Sequence, residues 1–101
     1  MPTKTKIRPI VRAAFKCEEL VYQFTRIDVE DGLIKATGYD NIVGEVNAKY
    51  DDAYIIGEAE NRLDIAEENL RAACDYLDLK VYRRDARQLR SFLKRFKKAA
   101  A

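Results

Sequence analysis

Two sets of side chains in this chain have the type and spacing to do chemistry. Glu60, Asp64, Glu67 and Glu68 recur at steps of three and four, so on a helix they share one face. Clustered carboxylates are what a two-metal site or an acid–base pair requires. Arg83, Arg84, Arg87, Arg90, Lys94 and Arg95 recur at similar steps. A row of guanidinium and ammonium groups suits the oxygens of a polyanion.

The remaining inventory is largely one of exclusions. The chain has no His, so histidine triads and dyads are out of reach. With Cys17 and Cys74 as its two cysteines, one chain cannot assemble a Cys/His zinc site. Both fall at apolar positions of predicted helices and read as free thiols, which burial makes unreactive. Ser91, the single serine, stands between Arg90 and Phe92, neither of which can take its proton as a general base. Gly32, Gly38, Gly44 and Gly57 are scattered and form neither a GxGxxG nor a GxxxxGK[ST] loop. The acidic set reads more simply as a solvated or salt-bridged helix surface, where unpaired like charges cost only a few tenths of a kcal/mol per neighbouring pair. Asp51-Asp52 reads as a helix start rather than a ligand pair. The expectation is a protein that is not an enzyme, with no catalytic residue, no metal and no cofactor.

Charge is sorted along the chain. Residues 1–16 carry five bases and no acid, residues 17–78 carry 16 acids against five bases, and residues 79–101 carry nine bases against Asp85. The net charge of +2 hides this polarity. Such a molecule either folds its basic ends onto its acidic middle or turns a cationic face to a polyanion. At 101 residues, with 48% hydrophobic and 36% charged content, the chain reads as one globular domain, 1–101, with residues 1–8 as a flexible basic arm and 99–101 as a frayed tail. Its apolar runs fall far short of the roughly 20 residues a bilayer crossing needs, and no secretory pattern follows the basic start. No membrane association and a cytoplasmic location are expected.

The elements that would position these groups follow from periodicity. Residues 9–24 read as a helix, with Pro9 in the first turn and Ile10, Ala13, Cys17, Leu20 and Phe24 on one face. Residues 24–47 change to an alternating pattern. Thr25, Ile27 and Val29 suggest a strand, Asp31-Gly32 a hairpin turn, Leu33–Thr37 the return strand, and Ile42–Val46 a third strand. A helix over 40–50 is the alternative there. Residues 52–78 read as a long helix with Ile56, Ala59, Leu63, Ala66, Leu70, Ala73 and Leu77 in heptad register. A second apolar line, Tyr54, Ile65, Ala72 and Tyr76, suggests a face for another protein or a second copy of the chain. Residues 78–82 read as a connector and 84–98 as a basic amphipathic helix, with Ala86, Leu89, Phe92, Leu93 and Phe96 on its apolar arc.

The fold expected is α+β, an N-terminal helix, a short antiparallel hairpin or three-stranded meander, a long central helix and a basic C-terminal helix. An all-α bundle is the alternative. The α-β-β-β-α order also occurs in double-stranded-RNA-binding domains, but the basic cluster those carry at the second helix start is here Asp51-Asp52-Ala53-Tyr54, so no membership is assigned. Two functions compete for the same residues. One is nucleic-acid or nucleoprotein binding, with phosphate contacts from Arg83, Arg84, Arg87, Arg90, Lys94 and Arg95, helped by Lys4, Lys6 and Arg8, and with little base selectivity. The other is a homo-oligomeric or inhibitory protein–protein module acting through helix 52–78, with Tyr54, Ile65, Ala72 and Tyr76 at its interface.

Overall fold

The computed structural model describes residues 6–25 and 39–100, and within them the protein is all-α. Five helices are described: α1 (Pro9–Ala14), α2 (Glu18–Thr25), α3 (Tyr39–Lys49), α4 (Asp52–Ala72) and α5 (Tyr76–Ala100). No strand occurs among the described residues, which overturns the α+β expectation. The third strand at Ile42–Val46 is instead part of α3, where Val43, Val46 and Asn47 recur at helical spacing and turn inward. Thr25, expected to open the first strand, closes α2 and donates its Oγ1 hydrogen to the Val21 carbonyl at 2.7 Å. The Asp31-Gly32 turn and the strands beside it lie outside the described residues.

Local chemistry explains each helix boundary. Pro9 opens α1, where a missing N–H costs nothing. The helix expected over 9–24 breaks at Phe15–Cys17 into α1 and α2. Gln88 of α5 stabilises the break, its Oε1 accepting from the Glu18 backbone N–H at 3.1 Å and its carbonyl accepting from the Cys17 thiol at 3.5 Å. One of the unsatisfied N–H groups at the start of α2 is thereby met from a distant helix. Asp51 caps α4, its carboxylate accepting from the Tyr54 N–H at 2.8 Å. The helix read as 52–78 ends at Ala72, and Ala73 is extended. Asp75 then caps α5 by accepting from the Leu77 N–H at 2.7 Å. The connector expected at 78–82 is therefore helical, and the basic helix is longer than its expected 84–98.

α4 and α5 form an antiparallel hairpin that carries the fold. Ala59 and Ala66 of α4 and Ala86 of α5 are buried in the core with Ile55, Leu89 and Phe92, Leu63 packs against it, and the small side chains allow close approach. Arg90 meets Glu67 at 2.9 Å, and Lys97 meets Glu60. The two rungs lie seven residues apart on each helix and run in opposite senses, which fixes the hairpin register. α1 lies against α4 and α5, and α2 against α4, placing Val11, Ala14, Leu20 and Val21 in the core. α3 packs against α1.

Candidate functional site

A helix turns 100° per residue, so Lys80, Arg83, Arg87 and Lys94 fall within a sector of about 60° on α5. Ala86, Leu89 and Phe92 point away from that sector into the core. The four cations are exposed, and none of them has a carboxylate within ion-pair distance among the described residues. From Lys80 to Lys94 they cover about 21 Å of helix at 1.5 Å per residue. Tyr76 falls in the same sector, at the start of the helix.

The other expected phosphate-binding residues are placed differently. Arg84 bridges Glu18 at 2.7 Å and Asp85 at 3.1 Å. Arg90 is engaged by Glu67. Arg95 lies over the Phe96 ring, 4.7 Å from its centroid. Arg8 is the centre of a latch. Its backbone N–H and its Nε both donate to the Asn47 side-chain oxygen at 3.1 Å, and its Nη2 donates to the carbonyls of Asn47 and Tyr50 at the end of α3. Its Nη1 pairs with Asp52. Lys6 is exposed, and its carbonyl accepts from Asn47 Nδ2 at 3.2 Å. Lys4 lies outside the described residues.

Of the four residues expected at a protein interface, Tyr54, Ile65 and Ala72 fall on one line along α4 at 100° per residue, and Tyr76 stands on α5. Tyr54 stacks on Tyr50 at 4.5 Å between centroids, with Phe24 tilted against both. Ile65 is half-buried, and Ala72 is exposed at the end of α4. Tyr76 belongs to α5 and is 74% exposed. It lines a shallow depression of about 510 Å³ together with Lys80, Val81, Arg83, Arg84 and Arg87. Sequence reasoning missed Lys80 and Val81 because it read residues 78–82 as a connector. The signal was present in the spacing 76-80-83-87, which continues the basic sector backward by two turns.

Acid–base chemistry finds weak material here. Burial pushes the Cys17 thiol up to about 11, which keeps it protonated at neutral pH. Cys74 is a free thiol as well, but it is exposed in the break between α4 and α5 rather than at an apolar helical position. Asp85 is held above the ordinary carboxylate value of 3.8, first by burial and then by the nearby Glu19 and Glu18, against the opposing pull of Arg84. Of the acidic set, Glu60 and Glu67 are ion-paired to α5 and Asp64 and Glu68 are exposed. No group of three or more His, Cys, Asp or Glu side chains among the described residues is disposed to hold a metal ion. No helix among them is long and apolar enough to cross a membrane. Comparison with protein families, with curated proteins and with solved structures finds no match.

Proposed function

We propose that this protein is a small, non-enzymatic, cytoplasmic nucleic-acid-binding protein that grips phosphates with the outward face of α5. The observation that carries this reading is the gathering of exposed, unpaired cations on one side of α5; Lys6, Arg12, Lys16, Lys49, Arg71 and Arg95 are also exposed without an ion pair among the described residues, but they lie outside that sector. Arg8, Arg62, Arg84, Arg90 and Lys97 are paired with acids, whereas Lys80, Arg83, Arg87 and Lys94 stand in one sector without a partner among the described residues. Exposed ion pairs contribute about 0–1 kcal/mol each, so folding alone places little demand on the four outward cations. A polyanion gains from them by releasing its counterions. The sector carries no Asn or Gln for bidentate base reading, so binding is largely indifferent to sequence.

The test compares two sets of variants by fluorescence anisotropy on a labelled 30-mer. Arg83→Gln, Arg87→Gln and Lys94→Gln combined are expected to weaken binding at least about tenfold at low salt, with thermal stability unchanged because all three are exposed. Arg90→Gln, which removes an internal ion pair, is expected to change binding far less. Equal effects from both sets would contradict the assignment of the outward sector.

A second reading is a protein–protein module, self-associating or inhibitory. Tyr76, Leu77 and Val81, exposed at 74, 67 and 41% around the hairpin bend, favour it. Under that reading the triple variant associates as the parent does, and added polyanion leaves the assembly untouched.

A further inference from the structure

We propose, building on the nucleic-acid reading, that the depression at the start of α5 is a stacking site for an unpaired base, and hence that single strands are the preferred ligand. Tyr76 is 74% exposed, more than any other large apolar residue among those described. It sits in the same sector as the four outward cations, and with Lys80, Val81, Arg83, Arg84 and Arg87 it lines a concavity of about 510 Å³. An open aromatic face flanked by guanidinium groups is the arrangement that takes a nucleobase by its π-face and the adjoining phosphates by charge. In a duplex the base faces are already stacked on one another, and only edges and phosphates are offered. Tyr76 therefore adds affinity for a single strand and nothing for a duplex.

Charge decides against the other occupants. The lining contains three arginines and a lysine and no carboxylate. A second copy docked face to face would bring these cations against their own counterparts, which is unfavourable in an isologous contact. A membrane surface needs a continuous apolar face, and α5 buries its own: Ala86, Leu89 and Phe92 lie in the core.

The experiment uses the full chain with a labelled 12-nucleotide single strand and the duplex of the same sequence. Tyr76→Ala is expected to weaken single-strand binding about tenfold, Tyr76→Phe to retain it, and duplex binding to stay within about twofold in both. Because no charge is removed, the salt dependence of Tyr76→Ala keeps the parent's slope. Arg87→Gln is expected to weaken both ligands and lower the slope. If Tyr76→Ala leaves single-strand binding unchanged while Arg87→Gln weakens it, the stacking site is overturned and the phosphate-binding face stands. If the parent binds neither ligand, the nucleic-acid reading itself fails. If Tyr76→Ala changes only the sedimentation of the protein, the depression is a self-association surface and the proposal is overturned.

Discussion

Asp85 shows how a single charge can be tolerated where it costs stability. Its side chain is buried, it accepts from the Arg84 Nη2 at 3.1 Å, and Arg84 in turn reaches Glu18. Burial raises its pKa, and Glu19 and Glu18 add to that while Arg84 offsets part of it. An acid raised in this way holds a proton in the folded state at pH values where the unfolded chain has lost it. Its contribution is therefore greatest below 3.8 and declines as pH rises through the folded value. Asp85→Asn keeps an oxygen for Arg84 and removes the titration. The difference in Tm between variant and parent should thus move in the variant's favour as pH rises from about 3 to about 7. A difference that stays constant over that range would show that burial places no penalty on the Asp85 carboxylate. At the same scale, the latch around Arg8 was not readable in advance. Nothing in the spacing of Arg8 and Asn47, 39 positions apart, announces that one would cap the carbonyls around the other.

At the scale of elements, legibility followed the strength of the local signals. Pro9 and Asp51 start helices where their chemistry says they should, and Ala86, Leu89 and Phe92 are buried as their spacing requires. The break at Ala73–Asp75 was hidden because the heptad register runs through it, with Ala73 and Leu77 in phase. Only Asp75, a good capping residue four positions before Leu79, marks the restart. Leu77, counted as a core position, is consequently 67% exposed. The β-branched residues of Ile42–Val46 favoured a strand by propensity, yet Val43 and Val46 pack at a helical step against the rest of the core. Tertiary burial outweighed a weak local preference. α4 also carries a correctable weakness at Gly57, where an added Cβ would meet no atom within 4 Å. Gly57→Ala should stabilise the protein by about 0.5–1 kcal/mol, since it removes the backbone entropy of an exposed helical glycine without a clash. Loss of stability on chemical denaturation of that variant would mean the outer face of α4 is covered in solution.

At the scale of the molecule, the polarity of charge along the chain resolves into two populations. The basic ends fold back onto the acidic middle through Arg8–Asp52, Arg84–Glu18, Arg90–Glu67 and Lys97–Glu60. The sorted charges left two outcomes open, basic ends folded onto the acidic middle or a cationic face turned outward. Which bases would meet the acids was not legible, because it depends on the helix register and on the early start of α5. The Cα radius of gyration is 14.4 Å, above the roughly 12.7 Å expected of a compact chain of this length, and the shortest dimension is 16 Å. A plate this thin leaves each helix a solvent side, and on α5 that side is the cationic sector.

The salt dependence of binding tests this account most directly. A labelled 30-mer, single-stranded or duplex, is titrated with the intact protein between about 50 and 300 mM salt. Four phosphate contacts, one for each outward cation, predict that log K falls against log salt concentration with a slope of about −3 to −4. A slope near zero, or no binding at the lowest salt, would mean that the outward face of α5 does not contact phosphate.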